Sequence, residues 1–236
     1  MLLLALAFAC YLFSLFKRPL LYPGLLLQIT YLAVRGNELA RLPLVGPHDT
    51  IVFLAASIAA FSIPFSIVLK GRSRFHTGTA LAISVFSALA LVTKQHNAPL
   101  PPVLKTLWFE SHVVLAFLSY ALFGIAAVLG YLYLKERDNI LEGLQYRAIL
   151  IGYCLFSLSM IFGGIWAYLA WGTYWLWTPK ELWTTILWVF YSLYLHARLR
   201  QWWMGRPLSM LGIAGFAVVL FTYLGVSLLM KSSHSF

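Results

Sequence analysis

Eight apolar runs, parted by short polar or basic stretches, set the pattern of this chain. They cover roughly residues 1–16, 20–34, 50–69, 76–93, 112–134, 146–164, 180–197 and 208–230. A bilayer core takes about 20 helical residues, so the pattern predicts an all-α, polytopic transmembrane helical bundle of about eight spans, the first two short. The opening run, MLLLALAFACYLFSLFKR, has its basic residues after the apolar stretch and no small-residue cleavage site. That predicts a retained first helix rather than a cleaved signal peptide. Residues 1–236 read as a single membrane domain, with four spans in 1–99 and a second part, 100–236, holding a tryptophan-rich loop at 165–180.

Composition sharpens the class. The chain is 61% hydrophobic and 10% charged, far from the balance of a soluble domain. A formal charge of +10 would suit nucleic acid if it were spread along one face. Instead it is gathered between the runs, at Lys17 and Arg18, at Lys70, Arg72 and Arg74, at Lys135, Arg137 and Arg147, and at Arg198, Arg200 and Arg206. Threading the runs alternately puts all four clusters on one side, eleven of the 17 Lys and Arg against six. Charge of that kind orients a membrane protein, and it predicts no nucleic-acid partner, a cytoplasmic face for the clusters, and both termini on the other side. Cys10 and Cys154 lie far apart inside apolar runs, with no C-x-x-C, which predicts buried structural thiols rather than a thiol redox centre.

Three loops then share the non-cytoplasmic face: RGNELARLPLVGPHD, TKQHNAPLPPVLKTLWFES and IWAYLAWGTYWLWTP. The last is the unusual one. Trp166, Trp171, Trp175, Trp177, Trp183 and Trp188 all fall in it or in the span that follows. An interfacial aromatic belt and a platform for a large flat apolar ligand, on which ring pairs add roughly 0.5–1.5 kcal/mol beyond burial, explain this density about equally well. Trp202 and Trp203, beside cytoplasmic arginines, suit the belt alone. Thr178-Pro179-Lys180-Glu181 predicts a capping box with proline at the first helical position. His196, eighteen residues on, would lie about 27 Å along that helix, near the cytoplasmic side.

WGTYWLWTPKELWTTILWVFYSLYLHAR closely resembles the tryptophan-rich "WWD" signature of the CcsA/ResC-type cytochrome c assembly proteins, within the haem-handling protein superfamily. The likeness extends through LPPVLKTLWFESHVVLAFLSYALFGIAAVLGYLYL, YRAILIGYCLFSLSMIFGGIWA and YLGVSLLMKSSHSF. It is strong from about residue 100 and only topological before that. By position it implies that His112 and His234 are axial ligands of a haem iron at the outer face, and that His196 is the ligand of an intramembrane haem site. Trp166, Trp171, Trp175, Trp177 and Trp183 would line the ring, and Lys180 would pair with a propionate, although a plain interfacial lysine explains Lys180 as well. One departure stands out. The family's W-x-W-D-P is here Trp175-Leu176-Trp177-Thr178-Pro179; threonine caps a helix as aspartate does, but a negative charge is lost.

The remaining histidines are weaker candidates. His48 and His96 read as solvated residues of outer loops. His76 is a reserve partner for His196 should no other subunit supply one. The resemblance implies a subunit of a membrane cytochrome c synthetase, with haem-lyase activity shared with a CcsB/ResB-type membrane partner. Its cargo would be haem b, its client an apocytochrome c bearing C-x-x-C-H, and a thiol-reducing protein would keep the client's cysteines reduced. No catalytic side chain is assigned. The setting would be a bacterial cytoplasmic membrane or a thylakoid, with the tryptophan loop facing periplasm, exterior or lumen. A HemX-type haem-binding regulator without ligase activity shares this architecture, and the threonine at 178 is its best support. A di-haem electron-transfer subunit would prefer histidine pairs on two facing helices inside the membrane.

Overall fold

In a computed structural model, residues 1–229 are described; they form helices and connecting turns, without a strand among them. The main helices are α1 (Leu2–Ser14), α2 (Leu21–Leu39), α3 (Pro47–Val68), α4 (Ser73–Val92), α5 (Leu107–Glu136), α6 (Asn139–Trp171), α7 (Pro179–Arg198) and α8 (Arg206–Leu220). A π-turn at Phe221–Gly225 carries the last helix on to Leu229. Each of the eight apolar runs is therefore helical over its described residues. Five stretches are long and apolar enough to cross a bilayer: α3, α4, α5, α6 and Arg206–Gly225. They make the chain an integral membrane protein. Of the others, α1 has only 13 residues. Gln28, Arg35, Asn37 and Glu38 dilute α2, and Lys180, Glu181, Thr184, Thr185 and Arg198 dilute α7.

Local sequence decides where the helices begin and end. Thr106 opens α5 by accepting the Phe109 N–H at 3.2 Å, and Asp138 opens α6 by accepting that of Ile140 at 2.9 Å. Such side chains satisfy donors that the first turn leaves unpaired. Gly172, at φ +76°, closes α6 with the left-handed residue that glycine adopts without a Cβ clash.

The chain divides into two compact units, Met1–Pro99 and Leu100–Phe236. The first gathers α1 to α4 around polar ties. Tyr11 donates to Gln28 at 2.6 Å, and Gln28 donates to the Val52 carbonyl at 3.0 Å. Arg35 and Asp49, 4% and 1% exposed, form an ion pair at 2.5 Å. His48 was expected in a solvated loop; it lies instead on the first turn of α3, 1% exposed. Its Nδ1 meets the Ala90 carbonyl at 2.8 Å and must donate, so Nε2 accepts the Tyr31 hydroxyl at 2.7 Å. With both ring nitrogens engaged, His48 serves the packing of α2, α3 and α4. The expectation failed because α3 starts at Pro47, earlier than hydropathy suggested.

The second unit packs α5 along α6 and α8, with α7 against α8 and α6. Small residues permit this closeness. A Cβ on Gly130 or Gly212 would collide with the Gln145 amide, which donates to the Ser209 carbonyl at 3.2 Å. One on Gly215 would strike the Tyr191 ring. That ring stacks on Phe123, with centroids 3.7 Å apart and planes at 11°. At one end, Glu142 accepts from Arg198 at 2.7 Å and from the Gly205 N–H at 2.9 Å. Ser159, seventeen residues further along α6, lies about 26 Å away at the other end.

Candidate functional site

His112 stands on the second turn of α5, half-buried against α6. Its Nδ1 lies 2.8 Å from the Ser159 carbonyl oxygen. A carbonyl only accepts, so Nδ1 carries the proton and, in the neutral ring, Nε2 keeps its lone pair. That is the arrangement of a metal-ligating histidine oriented from behind. Ser159 strengthens the tie by donating its hydroxyl to the His112 carbonyl at 2.8 Å. Gly163, one turn further along α6, makes room: a Cβ there would come within 2.6 Å of His112 Nδ1.

Aromatic rings crowd the same end of the unit. Trp166 is buried, donates its indole N–H to the Val103 carbonyl at 2.8 Å, and packs against Phe109 and Trp171 with centroids at 5.2 and 4.8 Å. Trp108 meets Phe162 edge-on at 5.5 Å. The loop expected at 165–180 is shorter. α6 runs on through Trp171, so Trp166 and Trp171 are helical residues and residues 172–178 alone form the connection. Within it Trp175 is half-buried, while Trp177 is 67% exposed at φ +56°. A bulky residue in the left-handed region is strained, and such strain gathers at functional sites.

The predicted capping box is present. Thr178 accepts the Glu181 N–H, and Glu181 Oε2 accepts the N–H groups of Thr178 and Leu176, each at 2.9 Å. The helix start therefore tolerates threonine at 178. Lys180 is half-buried on the first turn of α7. Trp183 packs on Phe221 at 4.4 Å, and Trp188 donates to Ser157 while stacking on Tyr153. Those two belong to the contacts of α7 with its neighbours rather than to the cluster around Trp166.

His196 lies at the far end of α7, exposed, with Nδ1 bonded to the Ser192 carbonyl at 2.8 Å. Its Nε2 is therefore also the nitrogen left for a ligand. His76, in the first unit, is buried and its Nε2 lies 2.9 Å from the Ser14 carbonyl. His96 is half-buried after α4, and its backbone carbonyl accepts from Arg35. His234 lies outside the described residues. The second unit thus joins His112, Trp166 and Trp171 at one end and puts His196 at the other. Ser159 and Gly163 went unnoticed in the sequence; their spacing of four on one helix face was the available signal.

The model of a family described as "Cytochrome C assembly protein" matches residues 44–234. The "Cytochrome c biogenesis protein CcsA" of Chlamydomonas reinhardtii is 31% identical over 230 positions, spanning 89% of this chain and 65% of the algal protein. Its namesake in Gloeothece citriformis is 30% identical over 273 positions, spanning 87% and 82%. That in Guillardia theta is 33% identical over 240 positions, spanning 87% and 80%. Less than two thirds of the algal relative's length is represented here.

Proposed function

The chain belongs to the cytochrome C assembly protein family, and on that footing we propose that it is the haem-handling subunit of a cytochrome c synthetase. In this reading eight helices cross the membrane, both termini are non-cytoplasmic, and the tryptophan cluster faces outward. Reduced haem b arrives as cargo near His196 and is carried to the outer end. There it is held between His112 and His234, with Trp166, Trp171, Trp175 and Trp177 against its ring and Lys180 near a propionate. A CcsB/ResB-type membrane partner supplies the second intramembrane ligand and the dock for apocytochrome c.

The chemistry asks little of this chain. Each client thiol adds across a haem vinyl group, sulfur bonding one carbon and the thiol hydrogen reaching the other, so no side chain need act as nucleophile or base. The chain's task is to fix the vinyls near the thiols, since positioning alone lowers such barriers substantially. The histidine of the client's C-x-x-C-H motif would replace one imidazole on the iron, and the product would leave as the other imidazole lets go.

One observation carries the reading: the His112 imidazole has Nδ1 fixed by the Ser159 carbonyl, leaving Nε2 as its donor at the end of the unit that also holds the Trp166 cluster. The test is spectroscopic. The chain purified with its membrane partner under reducing conditions should carry haem, and His112→Ala should lose most of the absorbance, with imidazole restoring part of it. A haem-free wild-type complex would overturn the proposal. Deletion should also abolish covalent cytochromes c; their persistence alongside altered tetrapyrrole levels would favour a HemX-type regulator.

A further inference from the structure

The first unit holds a cavity of about 230 Å³ that plays no part in the haem reading. It lies between the start of α2, the later half of α3 and the start of α4, with Arg18, Ser62, Ser66, His76, Thr79 and Phe75 among its walls. The Arg18 guanidinium is anchored at its rim, with Nη1 donating to the Gly71 carbonyl at 2.6 Å. Only one of five guanidinium donors is spent in that bond, and the planar fork suits a phosphate. His76 is 7% exposed. Because Nε2 meets the Ser14 carbonyl at 2.9 Å, it carries a proton, and Nδ1 has no hydrogen-bond partner among the described residues. So a nine-tenths-buried imidazole that lines the cavity keeps one nitrogen without a partner among the described residues, and hydroxyls and a guanidinium line the same cavity.

Surroundings decide what such a cavity would hold. Lys17 and Lys70 stand exposed in the same turns that carry Arg18 and Gly71, so the local potential favours an anion. Ile67 and Val68 beside it, and Phe16 before it, are 71%, 57% and 83% exposed, as residues facing lipid tails are. A mixed cavity at the border of an apolar belt and a basic turn meets the phosphate plane of a leaflet. The geometry points to a binding site for the headgroup of an anionic phospholipid. Its phosphate pairs with Arg18, its remaining polar atoms meet His76 and the hydroxyls of Ser62 and Ser66, and its acyl chains run out over α3. This site is independent of haem and lies wholly within residues 1–99.

Native mass spectrometry of the full chain, released from nanodiscs of phosphatidylcholine with a minor share of phosphatidylglycerol, tests it. The wild type should retain one phosphatidylglycerol in preference to phosphatidylcholine by about tenfold, the scale set by paired basic contacts near a membrane surface. Arg18→Gln, and Ser66→Leu, which plugs the cavity without touching a charge, should each abolish the preference. Lys17→Gln, which lowers the local potential but removes no cavity wall, should weaken it only slightly. Circular dichroism and thermal midpoints establish that the variants fold, and Arg18→Lys, which keeps charge but loses the fork, should fall between. Equal retention of the two lipids, survival of the preference in the plugged variant, or its loss in Lys17→Gln would overturn the assignment. Displacement of the lipid by inorganic phosphate would overturn it in favour of a soluble anion site.

Discussion

Glu181 grips the backbone on both sides of Trp177: one carboxylate oxygen accepts the N–H of Leu176 and that of Thr178, each at 2.9 Å. The exposed indole between them is held at φ +56°, a conformation costing of order 1–3 kcal/mol for such a residue. Two predictions separate the cost from its purpose. Trp177→Gly should raise stability by about 1 kcal/mol, because glycine accepts positive φ freely, while lowering haem retention. Glu181→Ala should lower both, by about 2–3 kcal/mol in stability, since two N–H groups lose a charged acceptor. Thermal unfolding and the haem spectrum of each variant check the pair. Unchanged haem in Trp177→Gly would make the strain incidental.

Adjacent glycines in α6 provide a matched comparison. Gly163→Ala puts a Cβ within 2.6 Å of His112 Nδ1, whereas Gly164→Ala meets only the Tyr174 carbonyl at an ordinary 3.7 Å. The first should displace the imidazole from the Ser159 carbonyl, destabilise by about 1–3 kcal/mol and cost most of the haem absorbance. The second should be neutral or stabilising by about 0.5–1 kcal/mol, since alanine suits a helix interior better. Equal spectra for the two would show that the His112 pose does not matter.

In the first unit, the Arg35–Asp49 pair is nearly inaccessible. Asp49→Asn leaves a buried guanidinium without its counter-charge and should cost about 3–5 kcal/mol. Replacing both residues, Arg35→Met with Asp49→Leu, should recover most of that loss, because the pair offsets its own desolvation only partly. A thermal-unfolding comparison of the single and double variants is the measurement. Equal loss in both would mean that the pair stabilises beyond cancelling its own charges.

Sidedness can be read chemically. With Cys10 and Cys154 replaced by alanine, single cysteines at Ser73 and at Asn97 should react with an impermeant thiol reagent from opposite sides of intact membrane, Asn97 from outside. Single cysteines at Asn139 and Thr173 should repeat the pattern, Thr173 from outside. Labelling of Asn97 and Thr173 from different sides would refute the eight-span threading.

Hydropathy located each of the eight main helices, because a run of apolar side chains leaves the backbone no way to satisfy its hydrogen bonds in lipid except by coiling. Ends were harder to read. Pro47 and His48 are polar-looking yet already helical, and Trp166 and Trp171 looked like loop only because they are aromatic. The capping box at Thr178 and Glu181 was legible because its partners are three residues apart. The Ser159 carbonyl behind His112 was not, because a main-chain acceptor has no letter in the sequence and the contact joins residues 47 positions apart.

The polar ties of the first four helices have a bearing on how the molecule is made. Tyr11 to Gln28, Arg35 to Asp49, Tyr31 to His48 and His48 to the Ala90 carbonyl all close within residues 1–99. Once that segment has left the ribosome, those groups already have their mates, and the amino-terminal half can mature in the bilayer while the tryptophan-bearing half is still being translated.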